Sequence, residues 1–338
     1  MSNIYNINYL QHLCQKFGLR PSKKYGQNYL IDPTVIETII ATAEIKKDDT
    51  VVEVGPGFGV LTHALAEKAG RVVAFEIEKK LTEYWNKITS NKEQGTNNIE
   101  IVWGNVLVSL RGGRNDRRGN PPVVRNNPVN KIISESGGIV TSRELLAMTP
   151  YKVVANLPYQ ITSPVIRLFL EADNPPEMMV LMVQKEVGER ICAQPGDMSL
   201  LSVAVQYYAD AKIIEVVPRS SFWPVPGVDS VVIKVMRRDR SSRSLLCEGE
   251  KESSPPLLRR GEGRERFVSF EQQFFHIVKA GFAQRRKLLI KNLEPIVGKK
   301  NRESLKEIFS VIGLTPQARA QELSVEQWRV LVVKVASL

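Results

Sequence analysis

The feature that most constrains the fold of this chain is a regular alternation of apolar strand-like runs and helix-like segments between residues 34 and 236. Short runs rich in Val and Ile, such as TVVEV, RVVAFE and YKVVAN, are separated by segments with helical periodicity. Such repeated strand–helix–strand units predict an α/β fold with a doubly wound, mostly parallel sheet. The last two runs, AKIIEVVP and DSVVIKVM, flank a turn-rich segment and predict an antiparallel hairpin at the sheet edge.

Two segments interrupt this alternation and divide the chain. Residues 111–138 and 238–266 are rich in Arg, Gly, Pro, Ser and Asn, and neither has a period that would bury one face. We therefore interpret both as flexible insertions. From residue 267 onward the pattern is helical throughout. These boundaries predict a larger α/β domain over residues 1–237, a linker over 238–266 and a small all-α domain over 267–338.

The net charge of +11 is distributed unevenly along the chain. Residues 267–338 carry 12 basic and 6 acidic side chains, whereas residues 1–110 are balanced at 12 of each. A neutral body with a basic appendage favours a polyanionic partner such as a nucleic acid.

Other features argue against several classes of protein. No uninterrupted apolar run approaches the length of about 18 residues that a membrane-spanning helix needs, and the N-terminus lacks the pattern of a secretory signal. The three cysteines, Cys14, Cys192 and Cys247, form no CxxC pair, which argues against a disulfide framework and a zinc site. We expect a soluble cytoplasmic protein without a metal ion or a membrane partner, and a monomer is the default.

A glycine-rich segment, EVGPGFG over residues 53–59, ends one of the predicted strands. Its glycines let the backbone turn sharply and approach a ligand at the N-terminus of the next helix. The spacing departs from the dinucleotide fingerprint GxGxxG, and Glu53 suits a cationic cofactor better than a pyrophosphate. Glu76, at the end of the next strand, is expected to bind a ribose diol, with Glu78 as the competing carboxylate. Together these residues favour S-adenosylmethionine over NAD.

The tetrapeptide NLPY, residues 156–159, ends the strand that follows the first insertion. An exocyclic amine of adenine or cytosine is a poor nucleophile, because its lone pair is delocalised into the ring. The Asn156 side-chain oxygen and the Leu157 carbonyl are able to accept its two N–H bonds and draw the amine toward tetrahedral geometry. Pro158 stiffens the turn, and Tyr159 offers a ring on which a flipped base stacks. The rate would then come from orientation and charge placement.

Six segments occur along the chain in one order: YGQNYL, EVGPGFGVLT, NLPY, VQKEVGERI, SFWPVPGVDS and FAQRRKLLIKNL. In this order they resemble the KsgA/RsmA family, the adenine N6,N6-dimethyltransferases of small-subunit ribosomal RNA. The resemblance implies a Rossmann-like class I methyltransferase sheet of seven strands, the last one antiparallel, with S-adenosylmethionine as cofactor. It also implies that the chain acts on small-subunit RNA in ribosome biogenesis, dimethylating two adjacent adenines in the 3′-terminal hairpin loop.

The resemblance also assigns individual residues. It implies cofactor contacts, besides Glu53 and Glu76, from Asn28, Leu30, Gly55, Gly57, Asn105 and Asn156. The family usually has aspartate where this chain has Asn105, and an amide keeps an acceptor oxygen for the cofactor adenine but loses the charge. Phe222 matches an aromatic residue that sandwiches the target base, with simple packing as the alternative interpretation.

Five basic residues of the small domain are candidates for RNA contacts: Lys279, Arg285, Arg286, Lys287 and Lys291. We expect them along a single helix, where contacts with phosphates would supply affinity and register rather than base choice. A solvated helix face is the alternative interpretation.

Two other functions stay open at this point. Antibiotic-resistance methyltransferases that act on large-subunit RNA share the same motifs, although the long helical C-terminal part and the SFWPVPGVDS segment favour the small-subunit type. A non-catalytic assembly or RNA-binding factor with this fold need not retain Glu53, Glu76 and NLPY. Their presence therefore favours an enzyme.

Overall fold

The computed structural model describes residues 4–21, 27–90, 96–110, 131–133, 139–141, 149–238 and 269–338. The chain forms two compact units. One combines Met1–Gly188 with Ala211–Arg237, and the other combines Glu189–Asp210 with Arg238–Leu338.

Eleven strands are present among the described residues: β1 (Tyr29–Leu30), β2 (Thr50–Val54), β3 (Arg71–Glu76), β4 (Ile99–Trp103), β5 (Lys131–Ile133), β6 (Ile139–Thr141), β7 (Lys152–Asn156), β8 (Met178–Gln184), β9 (Ala209–Val217), β10 (Phe222–Trp223) and β11 (Ser230–Arg237). Seven of them form one sheet in the order β4-β3-β2-β7-β8-β11-β9. The pairs from β4 to β8 are parallel, and β11 is antiparallel to β8, with Ser230 opposite Gln184. The predicted fold class is confirmed.

The central strands are apolar because the sheet is covered on both faces. Val72 of β3, Val153 of β7 and Val180 of β8 are all buried, as expected for parallel strands enclosed by helices. In the part of the chain that the structure describes, seven helices are associated with these strands in chain order: α1 (Ile7–Lys16), α2 (Pro33–Ala43), α3 (Val60–Lys68), α4 (Thr82–Ser90), α5 (Val106–Ser109), α6 (Thr162–Leu170) and α7 (Lys185–Ile191). Because β3, β2 and β7 are neighbouring parallel strands, their carboxyl ends lie side by side at one edge of this buried sheet.

The segment between the last two strands of the sheet has its own structure. These two strands, β9 and β11, are neighbours in the sheet. Since β11 lies between β8 and β9, β9 forms the edge of the sheet. Within the connection, β10 pairs antiparallel with β1, which places Leu30 opposite Phe222 and Tyr29 opposite Trp223. This pairing joins two segments that are far apart along the chain.

Part of the first predicted insertion is regular. β5 pairs antiparallel with β6, and Lys131 lies opposite Thr141. Residues 131–133 thus form a strand, which corrects their interpretation as flexible chain. The rest of that insertion and residues 239–266 lie outside the described residues, as do Tyr25, Gly26 and Cys247.

The second unit is helical and contains α8 (Leu200–Gln206), α9 (Phe270–Gly281), α10 (Leu289–Val297), α11 (Arg302–Val311) and α12 (Val325–Ala336). Its first segment, Glu189–Asp210, belongs by sequence to the predicted domain over residues 1–237, but it clusters with the C-terminal helices. The Tyr207 ring lies 4.5 Å from the ring of Phe274, and the Arg329 guanidinium lies 4.8 Å over Tyr207. These aromatic contacts explain why the domain boundary differs from the prediction.

Each helix in the described part of the chain is too short or too polar to span a bilayer.

Candidate active site

A cavity lies at the carboxyl ends of β2, β3 and β7, and β1 and β10 also contribute to its wall. This is the edge at which parallel α/β sheets bind ligands. Most of the predicted site residues line this one cavity: Asn28, Leu30, Glu53, Gly55, Gly57, Glu76, Asn156, Leu157, Pro158, Tyr159 and Phe222. The glycine segment and NLPY, about 100 residues apart, thus meet at one site.

The glycine segment turns the chain tightly between β2 and α3. Gly55, Gly57 and Gly59 have φ angles of 76°, 56° and 82°, a region that side chains disfavour. A Cβ atom at Gly57 would lie 3.2 Å from Cε1 of Tyr29. Glycine is therefore required here both for the backbone conformation and for the close approach of the aromatic ring.

Glu76 connects this turn to the end of β3. Its Oε2 accepts a hydrogen bond from the Gly57 N–H at 3.1 Å, and its Oε1 accepts one from the Glu78 N–H at 2.7 Å. Burial raises the pKa of Glu76. Each carboxylate oxygen keeps a further lone pair, so the group is able to accept ribose hydroxyls as well. Glu78, the competing carboxylate, caps a short 3₁₀ helix (Lys79–Leu81) and does not line the cavity.

Glu53 is a buried carboxyl group with an unsatisfied oxygen. It is only 2% exposed, and among the described residues its Oε2 has no hydrogen-bond partner. Burial, together with the charge of Glu76, raises the pKa of Glu53 to about 8. Because an unpaired buried carboxylate is unfavourable, a cationic ligand in the cavity would supply the missing partner. The carboxyl groups of Glu53 and Glu76 thus fit a cofactor that carries a positive charge and a ribose.

NLPY lines the cavity beside the glycine turn. The Asn156 Nδ2 donates to the Asn28 carbonyl oxygen at 3.4 Å. The Leu157 side chain is buried, and its N–H donates to the Met182 carbonyl at 3.1 Å. Pro158 approaches the glycine turn, since its Cγ lies 3.7 Å from where a Cβ of Gly55 would be. These contacts fix the backbone at the end of β7.

The aromatic side chains at the site differ in exposure. Tyr159 is half-buried, and its hydroxyl shares a 2.9 Å hydrogen bond with the Ser230 hydroxyl. Phe222 lines the cavity but is only 1% exposed and belongs to the hydrophobic core. The role of Phe222 as a sandwich partner for a base stays a prediction, and its packing role is evident.

Asn105 lies outside the cavity lining. It is exposed at the N-terminus of α5, where its Oδ1 accepts the N–H of Leu107 at 2.9 Å. That bond uses one lone pair of the amide oxygen and leaves a second. The contact of Asn105 with the cofactor adenine stays a prediction.

The lining also includes residues that sequence reasoning missed, among them Gln27, Tyr29 and Ile77. Ile77 is 59% exposed. Its position directly after Glu76 was an available signal, because ligands of parallel α/β sheets bind at the carboxyl ends of the strands. Tyr29 stacks on Trp223 at 6.2 Å, an interaction that depends on the β1–β10 pairing.

The five basic candidates of the helical unit are all exposed, but they do not lie on one helix. The single helix expected to carry them is interrupted after Gly281, and α10 starts only at Leu289. Lys279 is in the last turn of α9 and Lys291 is in the first turn of α10. The remaining three cations lie in the connection: Arg285, Arg286 and Lys287. A hydrogen-bonded turn in this connection replaces the expected helix.

Within the described residues, no group of three or more His, Cys, Asp or Glu side chains is arranged to hold a metal ion.

Comparisons with known proteins agree with this geometry. The family model described as ribosomal RNA adenine dimethylase matches residues 18–245. The chain is 34% identical to ribosomal RNA small subunit methyltransferase A of Dehalococcoides mccartyi, over 95% of this chain and 90% of that protein. It is 33% identical to the protein of the same name from Geobacillus kaustophilus, over 97% of this chain and 95% of the relative.

Solved structures support the fold. A dimethyladenosine transferase from Plasmodium falciparum has a TM-score of 0.61 at 22% identity, covering 89% of this chain and 95% of that one. The 23S rRNA methyltransferase ErmE has a TM-score of 0.60 at 24% identity, covering 91% of this chain and 99% of that one. Since the family model and the curated relatives span most of the sequence, the chain belongs to the ribosomal RNA adenine dimethylase family.

Proposed function

We propose that this chain dimethylates N6 of two adjacent adenines in the 3′-terminal hairpin loop of small-subunit ribosomal RNA, as a step in ribosome biogenesis. Its family membership makes it an S-adenosylmethionine-dependent rRNA adenine dimethyltransferase. The observation that carries the proposal is that Asn156 opens into the same cavity as Glu53 and Glu76. The small subunit is the substrate named for the relatives that match nearly the whole chain.

The cofactor half of the cavity is made by the glycine turn and two carboxyl groups. Glu53, whose Oε2 is unpartnered among the described residues, would pair with the positive charge of the ligand, and Glu76 would hold the ribose hydroxyls. S-adenosylmethionine, when bound, supplies a methyl group activated by a sulfonium. The role of the protein there is to orient this ligand and to exclude water from its charged end.

The substrate half acts on the adenine amine. The Asn156 Oδ1 and the Leu157 carbonyl would accept the two amine hydrogens, which turns the nitrogen lone pair toward the cofactor side of the cavity. Tyr159 would hold the base by stacking, while its hydroxyl is retained by Ser230. The methylated amine is a strong acid while it carries its extra proton, so it releases that proton to water without a strong base.

The helical unit would supply affinity for the RNA backbone. Its exposed cations, above all Arg285, Arg286 and Lys287, are suited to phosphates and carry no base preference. We also propose that the chain acts as a monomer in the cytoplasm, where ribosomal subunits are assembled. Light scattering of the purified protein tests the monomer.

The direct test incubates the purified protein with radiolabelled S-adenosylmethionine and small ribosomal subunits that lack the modification. Digestion of the RNA to nucleosides is expected to yield labelled N6,N6-dimethyladenosine. Mapping of the label is expected to place it on two neighbouring adenines in the 3′-terminal hairpin. Cofactor binding without transfer of label to the small-subunit RNA, or label at other nucleotides only, would contradict the proposal.

A further inference from the structure

Three consecutive cations of the helical unit, Arg285, Arg286 and Lys287, lie on a hydrogen-bonded turn that we name the basic turn. The Gln284 carbonyl accepts the Lys287 N–H at 2.9 Å, so Arg285 and Arg286 occupy the two central positions. All three side chains are exposed. The basic turn thus presents its cations from a defined backbone conformation.

A buried amide fastens this turn from the inside. Asn292, in α10, is 8% exposed. Its Nδ2 donates to the Gly281 carbonyl at 2.6 Å and to the Gln284 carbonyl at 3.1 Å. Gly281 ends α9, where the last carbonyls of a helix lack partners within it. One side chain therefore satisfies the end of α9 and also the carbonyl that closes the basic turn.

The packing beneath the turn leaves little alternative to this arrangement. A Cβ atom at Gly281 would collide with the Trp328 ring and lie 2.9 Å from Cδ1 of Leu289. The Phe282 ring packs against Trp328 at 5.8 Å, and the Leu289 N–H donates to the Ala318 carbonyl at 2.8 Å. The backbone before the basic turn is thus held against the buried Trp328, and the backbone after it is tied to Ala318.

We infer that Asn292 is a positioning residue for RNA binding: by joining Gly281 and Gln284 it holds the basic turn in the conformation that meets successive phosphates. A turn that is already ordered in the free protein loses less conformational entropy when RNA binds, and binding is therefore tighter. Asn292 itself does not touch the RNA. The inference rests on the proposed function, because it assumes that the basic turn contacts RNA.

The test uses the full-length protein and a matched pair of substitutions. Asn292→Ala removes both hydrogen bonds. Asn301→Ala is the control, since the Nδ2 of Asn301 also donates to two carbonyls of the same unit, those of Val297 and Leu338, at 3.0 and 3.3 Å. Affinity for an RNA hairpin with the 3′-terminal small-subunit sequence is measured against salt concentration. Both variants are also placed in a background in which the basic turn is neutralised, Arg285→Gln, Arg286→Gln and Lys287→Gln.

Asn292→Ala is expected to weaken RNA binding roughly five- to tenfold and to reduce the salt slope by about one. Asn301→Ala is expected to leave both quantities unchanged. In the neutralised background Asn292→Ala is expected to have no further effect on RNA binding, which a merely structural role would not produce. S-adenosylmethionine affinity is expected to be unchanged in every variant.

Unchanged RNA binding in Asn292→Ala would overturn the inference, and so would an equal loss in the neutralised background. If neutralising the basic turn itself leaves RNA binding intact, the RNA role of the turn fails and the inference fails with it. Methyl transfer by that same variant then shows whether the rest of the proposed function stands. If Asn292→Ala does not fold, Asn292→Ser, which keeps one donor, takes its place with the same criteria.

Discussion

The side-chain amide of Asn156 donates from Nδ2 to the backbone carbonyl of Asn28 at 3.4 Å. This bond links the end of β7 to the segment that enters β1, across 128 residues of chain. It also orients the amide, because the nitrogen is directed at a protein carbonyl and the oxygen is left to accept a hydrogen bond from a ligand. An acceptor in that position is what an adenine amine requires.

Replacing Asn156 by alanine is expected to reduce methyl transfer roughly 100- to 1,000-fold, the usual effect of removing one catalytic hydrogen-bonding group. Cofactor affinity should stay nearly intact, since Glu53 and Glu76 are unaffected. Single-turnover kinetics and calorimetric titration with S-adenosylmethionine measure the two quantities. Asn156→Asp keeps an acceptor oxygen but loses the donor to Asn28, so we expect an intermediate rate. Full activity of the alanine variant would refute the assigned role.

Substitutions of Tyr159 separate stacking from hydrogen bonding. Tyr159→Phe removes only the 2.9 Å bond to Ser230, and we expect a loss of activity within about fivefold, since a neutral hydrogen bond contributes modestly. Tyr159→Ala removes the ring and is expected to cost roughly ten- to a hundredfold, in line with base–aromatic stacking. Steady-state rates on unmethylated small subunits provide the comparison. Equal rates for the two variants would mean that the ring does not stack on the base.

Cofactor affinity is expected to depend on pH through Glu53. Its pKa is raised to about 8 in the ligand-free protein, and only the ionised form attracts a cationic ligand. Affinity should therefore rise with pH between about 6 and 7.5, by up to about tenfold per pH unit, as binding displaces the proton. Calorimetry in buffers of different ionisation enthalpy detects the released proton. Glu53→Gln should bind weakly at every pH in this range, and a slope that persists in this variant would assign it to another group.

The same group is expected to make the ligand-free protein less stable as pH rises. A carboxyl whose folded pKa lies above its unfolded value holds its proton more tightly when folded, so the folded state loses stability as pH rises from about 4.5 toward 8. Glu53→Gln removes this dependence. In thermal unfolding, the melting temperature of Glu53→Gln should rise relative to that of the natural protein as pH increases. The difference between the two should be smallest near pH 4.5. A constant difference would contradict the raised pKa.

Neutralising the basic turn is expected to weaken RNA binding and to flatten its salt dependence. For every phosphate that the protein no longer neutralises, the slope of log K against log salt should become shallower by about one. The matched control neutralises Lys299, Lys300 and Arg302, another cluster of exposed cations in the same unit, and so removes the same charge at a different place. The control is expected to reduce RNA affinity and the salt slope less than neutralising the basic turn does. General electrostatic attraction depends only on the total charge, which the two variants share, whereas contacts with phosphates depend on where the charge lies. Equal effects would move the RNA surface away from the basic turn.

The sequence by itself determined the α/β sheet and the two chemical motifs of the site. Strand and helix periods depend on neighbouring residues, and parallel strands bring their carboxyl ends to one edge, so Glu53, Glu76 and Asn156 were predictable as neighbours. The choice of Glu76 over Glu78 followed from its place nearer the end of β3; in the structure Glu76 lines the cavity and Glu78 does not, while the ribose contact itself stays a prediction.

Only the tertiary structure decided the contacts between distant segments. The pairing of β1 with β10 brings Tyr29 and Phe222 to the cavity, and aromatic packing assigns Glu189–Asp210 to the helical unit. The single helix expected to carry the five basic candidates breaks because the packing of Gly281 against Trp328 and the hydrogen bonds of Asn292 stabilise a turn in its place. Such contacts depend on how complete surfaces fit together, and no short stretch of sequence contains that information.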